Sequence, residues 1–147
     1  MVDDGAGPGE TEEKQHEEPE HLQQEWSDDV RGLPSCPPAD AVPTGGTVYR
    51  RQSGDRHQTY KEQNKCRKGA GHEEQCRCAS ISVFSDIESL RDAAKVHVYM
   101  AAQPILRADL SKEHGVIART GTTPGHCSLW LRRKYLAIRD RLFEPVP

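Results

Sequence analysis

The sequence contains no long hydrophobic run and few aromatic residues. Its 147 residues are 34% hydrophobic and 5% aromatic, and no apolar stretch approaches the ~18 residues of a membrane-spanning helix. The acidic N-terminal segment has no apolar run of the kind found in secretory signals. These absences argue against membrane carriers, and a domain size of ~100–200 residues argues against multidomain enzymes. We therefore expect a soluble, cytoplasmic protein with one domain and no membrane contact.

Charge is divided unevenly along the chain. Residues 1–45 contain twelve acidic against two basic side chains, a net charge of −10, whereas residues 46–147 contain 18 basic against 11 acidic, a net charge of +7. An acidic, proline-rich segment with few large apolar side chains cannot offset the ~1–2 kcal/mol per residue that ordering its backbone costs. The sequence predicts a disordered acidic arm over 1–45, which can fold back onto the basic domain over 46–147. Trp26, with the acidic residues after it, is a candidate docking motif within the arm.

The pattern of apolar residues predicts an α+β domain. Alternating or β-branched segments predict strands over 47–50, 79–84, 105–110 and 116–119, with Ile81 and Val83 facing the core and the last two strands pairing as a hairpin. Ser85 and Glu88 form a capping box, which predicts a helix from Asp86. An apolar stripe over 131–142 predicts a C-terminal helix. We expect a small mixed or antiparallel sheet with two or three helices, preceded by the arm.

The predicted C-terminal helix has a basic face. Its outward side chains include Arg132, Arg133, Arg139 and Arg141, and clustered arginines bind phosphate groups with release of counterions. Our leading hypothesis is a small binding or regulatory module that engages an acidic or phosphate-bearing partner, either an acidic protein or a nucleic acid. A structural alternative is that these arginines only solvate the domain and attract the acidic arm.

The cysteines allow a metal site. Their number, five, is odd, so in a cytoplasmic protein we expect no disulfide framework. Four zinc-type ligands lie within thirteen residues, namely Cys66, His72, Cys76 and Cys78. A zinc-stabilised module is therefore a further hypothesis, although the spacing matches no established zinc knuckle. The alternative is a flexible basic loop, or a strand with Cys76 and Cys78 on one face.

Two strand-borne elements suggest an enzyme. Tyr49-Arg50 on the first strand and Ser80-Ile81-Ser82 on the second resemble the opening of the mono-ADP-ribosyltransferase pattern, whose third element is a Gln/Glu-x-Glu that supplies the catalytic acid. That third element is absent here, and we hypothesise that His126 replaces it. The resemblance spans residues 47–84 and implies NAD as the substrate.

Each residue then has a candidate role. Arg50 would clamp the diphosphate through two parallel hydrogen bonds, and Ser82 and His126 would complete a catalytic set. This nucleotide-using enzyme is the alternative to the binding module. Because neighbouring residues on an extended chain face opposite sides, His126 should share a face with Ser128 and not with Cys127.

Overall fold

The computed structural model describes residues 26–51, 57–96 and 101–147. Within these ranges no helix is long and apolar enough to cross a membrane. The elements in chain order are α1 (Asp28–Arg31), β1 (Val42–Pro43), β2 (Gly46–Arg51), α2 (His72–Cys78), β3 (Ile81–Phe84), α3 (Ile87–Val96), β4 (Ile105–Leu110), β5 (Gly115–Arg119), β6 (His126–Leu131), α4 (Arg133–Leu136), a 3₁₀ helix (Arg139–Arg141) and β7 (Glu144–Pro145).

The strands form one seven-stranded sheet in the order β1-β5-β6-β3-β2-β4-β7. Every neighbouring pair is antiparallel, and the described part of the chain also contains four α-helices. The predicted α+β class is confirmed, but the sheet is larger than we expected. Two of its strands, β1 and β7, have only two residues each and lie at the edges, where short strands limit pairing with other chains.

One face of the sheet, here called the core face, carries the main hydrophobic cluster. Ile81 and Val83 lie on it and are fully buried, as predicted from their alternation in β3. Side chains from the C-terminal segment pack against this face. The cluster consists of Val48, Ile81, Val83, Leu106, Ala108, Leu110, Cys127, Leu129, Leu131 and Phe143, with Ile117, Tyr135, Leu136 and Leu142 against it.

The opposite face, here called the second face, is covered at two separate places. At one end α1 and α2 pack on it through Trp26, Val30 and Cys76, which contact Trp130 of β6. At the other end α3 packs through Leu90 and Ala93 onto Phe84 of β3, with Tyr49 at its margin. Because these two clusters do not merge, the sheet between them is available for polar side chains.

The predicted boundary at residue 45 is corrected for residues 26–45. Trp26 and Val30 are 3% and 2% exposed and belong to the core, and β1 pairs with β5. Two carboxylates of α1 bind the domain, Asp28 to Arg133 at 2.8 Å and Asp29 to Lys61 at 2.7 Å. The candidate docking motif at Trp26 therefore packs against the domain. Its large apolar ring is buried, while the acidic side chains that follow it form ion pairs at the surface. Residues 1–25 lie outside the described part of the chain.

The cysteine prediction was wrong. Cys36 is joined to Cys76, and Cys66 to Cys78, while buried Cys127 remains a free thiol. The odd count thus reflects two disulfides and one core cysteine. The pairs bridge 40 and 12 positions along the chain, and only the fold brings them together. Cys76 and Cys78 lie on α2 and not on a strand.

Two local predictions also need correction. The helix α3 is capped by Asp86 and not by Ser85, because the Asp86 carboxylate accepts hydrogen bonds from the backbone and hydroxyl of Ser89 at 2.7 and 2.9 Å. The strands β4 and β5 do not form a hairpin, since β4 pairs with β2 and β7, and β5 with β6 and β1. The residues over 96–100 alternate between apolar and polar side chains, which predicts an extended segment there; 97–100 lie outside the described residues, and Val96 ends α3.

The predicted C-terminal helix is replaced by a strand and a short helix. Residues up to Leu131 belong to β6, a central strand buried on both faces. A strand buried on both faces is mostly apolar along its whole length, so the periodicity of its apolar residues does not distinguish it from a buried helix. Only Arg133–Leu136 is α-helical after it, and Ile138 of the predicted stripe is exposed.

Candidate functional site

A strip of polar side chains crosses the second face between the two hydrophobic clusters. Ser82 projects from β3, Ser128 lies directly opposite it on β6, and His126 begins β6 two residues earlier. His126 shares its face with Ser128, as predicted, whereas Cys127 belongs to the core face. The Thr120 hydroxyl lies 2.8 Å from that of Ser128 and completes the strip.

His126 lies at the centre of a hydrogen-bond network that determines its tautomer. Its Nδ1 lies 3.0 Å from the backbone oxygen of Thr120. A carbonyl oxygen only accepts, so Nδ1 carries the proton and donates it. In the neutral ring the other nitrogen, Nε2, then has the lone pair and accepts from the Ser82 hydroxyl at 2.7 Å and from the Tyr60 hydroxyl at 3.3 Å. This is a hydroxyl–imidazole–orienting-group arrangement of the kind that supports proton transfer.

Tyr60 reaches this site from the segment over 57–66, whose polar sequence predicts a short helix or loop. Its turns are held beside β3, since the amides of Tyr60 and Lys61 donate to the carbonyls of Ser80 and Cys78 at 3.3 and 2.8 Å. The disulfide between Cys66 and Cys78 fixes the end of the segment. No local pattern marks Tyr60, because its role depends on contact with a residue 66 positions away.

A cleft of ≈ 480 Å³ opens beside His126. That volume lies within the range of small-molecule sites, ~300–1,000 Å³. Two exposed cations, Lys65 and Arg77, lie in its wall, and the lining carboxylate Glu74 is paired with Arg67 at 2.7 Å. The full lining is Tyr60, Lys65, Glu74, Arg77, Cys78, Thr120, Gly121, Thr122, Thr123 and His126. A cleft whose wall carries two exposed cations suits a phosphate-bearing ligand.

The structure brings Ser82 and His126 together but places the Arg50 side chain elsewhere. Arg50 is 7% exposed and its Nη1 lies 2.9 Å from Nδ1 of His57, whose ring stacks on Phe143 of the core face. Arg51, two residues after Tyr49, projects instead toward the second face, on which Ser82 lies. Sequence reasoning missed Arg51 because two adjacent arginines on a strand cannot be assigned to faces before the sheet's core is known.

Arg51 lies in a partly buried, positively charged environment. Its Nη1 donates to the backbone oxygen of Gln103. Its pKa is lowered from the ordinary value, first by burial and then by the positive charge of Arg91 on α3. Arg91 is itself paired with Glu88 at 3.2 Å, which neutralises part of this positive charge.

The four C-terminal arginines do not form one outward face. Arg132 lies over the Trp26 ring, 4.7 Å from its centroid, and Arg133 binds Asp28. Arg139 binds Glu62 at 3.0 Å. Arg141 is exposed. Three of the four therefore contact this chain's own residues.

The cysteines of the predicted zinc site have another role in this structure. Cys66, Cys76 and Cys78 are in disulfides, and a disulfide sulfur is not the thiolate that zinc requires. His72 is the exposed first residue of α2. Among the residues that the structure describes, no group of three or more His, Cys, Asp or Glu side chains is arranged to hold a metal ion.

Comparison with known proteins gives no relative from which a role can be transferred. No family model, no curated protein and no solved structure matches the chain. The functional argument therefore depends on the geometry of the site.

Proposed function

We propose that the protein is a nucleotide-using enzyme that transfers ADP-ribose from NAD, with its active site at the cleft beside His126. The observation that carries the proposal is the hydrogen-bonded set of Ser82, His126 and Tyr60 on the wall of a cationic cleft. NAD carries phosphate groups, as does the partner expected under the binding-module hypothesis. In the present proposal, however, the phosphate-bearing ligand is a small-molecule substrate.

The order of the strands supports this reading. The two elements that resemble the ADP-ribosyltransferase pattern lie on β2 and β3, and His126, proposed in place of the absent third element, lies on β6; these three strands are consecutive neighbours in the sheet. Ser82 and His126 are in direct contact. Arg50 lies on the core face and outside the cleft lining, so in this proposal the diphosphate binds the cations of the cleft wall, Lys65 and Arg77.

The chemistry follows from the tautomer of His126. During transfer the bond between ribose C1′ and the nicotinamide nitrogen breaks, and its electron pair leaves with nicotinamide. An acceptor hydroxyl bonds to C1′ through its oxygen and gives its proton to Nε2 of His126. Thr120 holds the ring from the other side, and the acceptor hydroxyl takes the place of the Ser82 and Tyr60 hydroxyls, which occupy the single Nε2 lone pair before it arrives.

The test measures nicotinamide released from NAD by the purified, oxidised full-length chain. His126→Ala should lower the rate by ~10²–10⁴-fold, the usual contribution of a general base. His72→Ala is the matched control, since His72 is exposed and lies outside the cleft lining. Arg77→Ala should raise KM more than Arg50→Ala, with folding of both variants checked by urea unfolding. Absence of nicotinamide release by the unmodified protein, or an unchanged rate in His126→Ala, would refute the proposal.

A nucleic-acid or acidic-protein partner receives less support. That hypothesis required an exposed basic helix, whereas Arg132, Arg133 and Arg139 contact residues of their own chain.

The two disulfides also affect the proposed localisation of the protein. Disulfides persist mainly in oxidising compartments, so we infer an oxidising environment for the mature protein in place of the cytoplasm predicted from the sequence.

A further inference from the structure

The Ser82 hydroxyl is bound to the imidazole of His126 in the arrangement of a serine nucleophile and its base. Its Oγ lies 2.7 Å from Nε2, within the ~2.6–3.2 Å over which a base accepts the proton of a nucleophile. The other ring nitrogen, Nδ1, lies 3.0 Å from the backbone oxygen of Thr120, which holds the ring in the tautomer that this proton transfer needs. Nucleophile, base and orienting group are therefore all present in one hydrogen-bonded chain.

Ser82 differs in exposure from the other serine of the polar strip. Ser128 lies opposite it on β6, is 0% exposed and has its hydroxyl 2.8 Å from that of Thr120. Ser82 is only half-buried, and the imidazole that it contacts lines the cleft. The Ser82 hydroxyl is therefore within reach of a small molecule beside His126, whereas the Ser128 hydroxyl is not.

The Tyr60 hydroxyl supplies a second donor at the same place. It lies 3.3 Å from Nε2 of His126, and Tyr60 lines the cleft. The neutral ring has one lone pair on Nε2, and the nearer hydroxyl is that of Ser82. Once the Ser82 proton has moved onto Nε2, that nitrogen no longer accepts a hydrogen bond. The Tyr60 hydroxyl is then free to donate to a negative oxygen that forms on the substrate.

We infer that Ser82 is a nucleophile for acyl transfer and that the cleft accepts small anionic esters. The Ser82 Oγ bonds to the ester carbonyl carbon while its proton passes to Nε2 of His126, and Tyr60 donates to the oxyanion. The bond from that carbon to the leaving oxygen then breaks, and the leaving oxygen takes the proton from Nε2. Water next adds to the acyl carbon and gives a proton to Nε2, from which Ser82 recovers it as the acid leaves. Lys65 and Arg77 in the cleft wall favour a substrate with a negative charge.

This inference goes beyond the proposed function, because acyl transfer requires neither NAD nor an ADP-ribosyl acceptor. The two reactions use the same base, His126, but differ in the nucleophile. In ADP-ribosyl transfer an incoming hydroxyl takes the place of Ser82 at Nε2, whereas in acyl transfer the Ser82 hydroxyl itself reacts.

The experiment labels the oxidised full-length chain with an alkyl fluorophosphonate, which joins phosphorus to a serine Oγ with loss of fluoride. Peptide mass spectrometry should find the label on Ser82. The labelling rate should fall by ~10²–10⁴-fold in His126→Ala, the usual contribution of a general base, and by ~10²-fold in Tyr60→Phe, the effect of removing one oxyanion donor. Ser85→Ala is the matched control and should label at the unmodified rate, since the exposed Ser85 hydroxyl donates to the backbone oxygen of Gly125.

The charge of the substrate is tested with two esters of para-nitrophenol, the neutral acetate and the anionic hemisuccinate. The value of kcat/KM should be about tenfold higher for the hemisuccinate, because its carboxylate meets the cations of the cleft wall. Arg77→Ala should remove most of this preference. Arg141→Ala, in which an exposed arginine outside the cleft lining is replaced, should keep it. Equal rates for the two esters in the unmodified protein would overturn the anionic substrate class.

Labelling of the chain unfolded in urea tests the inference without a variant. The Ser82 label should be lost on unfolding, because the contact between Ser82 and His126 joins residues 44 positions apart. No label on Ser82, or equal labelling of the folded, unfolded and His126→Ala chains, would overturn the inference. A labelled Ser82 without nicotinamide release from NAD would support the inference and refute the proposed function. Nicotinamide release without a label on Ser82 would overturn the inference and leave the proposed function standing.

Discussion

Replacing Trp26 tests whether the segment over 26–45 is part of the folded domain. The Trp26 ring is 3% exposed, packs with Val30, Cys76 and Trp130, and lies under the guanidinium of Arg132. Truncating a buried aromatic residue to alanine typically costs ~3–5 kcal/mol through lost burial and the remaining cavity. Because domains of this size have only ~5–15 kcal/mol of stability, Trp26→Ala should remove a large share of it.

The assay is urea unfolding of the oxidised full-length chain at neutral pH. With a urea slope of ~2 kcal/mol per molar, the expected loss lowers the midpoint by ~2 M. Val42→Ala is the control from the same segment, since Val42 is 56% exposed, and its midpoint should stay within about 0.3 M of the unmodified protein. A loss below ~1 kcal/mol in Trp26→Ala would refute the packing of this segment, because no buried tryptophan is expected to cost so little.

Three further predictions concern the disulfides, a helix cap and the free thiol. Cys36→Ser should lower the unfolding free energy by about 4 kcal/mol, since the bond from Cys36 to Cys76 closes a loop over 40 positions. Urea unfolding of the variant and the unmodified protein measures the difference. An unchanged midpoint would contradict a formed disulfide. The pKa of Asp86 is lowered mainly by the backbone hydrogen bond from Ser89, so the stability that Asp86 adds is present above its unfolded pKa and is lost as pH falls through the folded pKa. The difference in unfolding free energy between Asp86→Ala and the unmodified chain should therefore shrink below about pH 4. A difference that persists at pH 2 would argue against a charged cap. Burial raises the pKa of the Cys127 thiol, so this thiol should not react with an aromatic disulfide reagent at pH 8 while the protein is folded. After denaturant is added, one thiol per chain should react. Immediate reaction in the native state would indicate an open core or a missing disulfide.

Local chemistry alone was sufficient to identify several elements. Alternation in β3 predicted both the strand and the burial of Ile81 and Val83, because the side-chain period of two is a property of the extended backbone. The same period correctly placed His126 with Ser128 and apart from Cys127. A run of turn-forming residues over 120–125 predicts a loop from local sequence alone, and residues 120–123 of it line the cleft. These features depend on neighbours within a few residues, and the sequence contains those neighbours.

Tertiary structure decided the features that depend on distant contacts. The disulfide partner of Cys76 lies 40 positions away along the chain. Tyr60, whose hydroxyl contacts His126, lies 66 positions before it. The assignment of Arg51 to the second face depends on which side of the sheet forms the core, and the loss of the C-terminal helix depends on β6 being central. The amino-acid order determined the strands and their alternation, whereas the pairing of strands determined the site, because burial and hydrogen bonding across the sheet are satisfied only when distant segments meet.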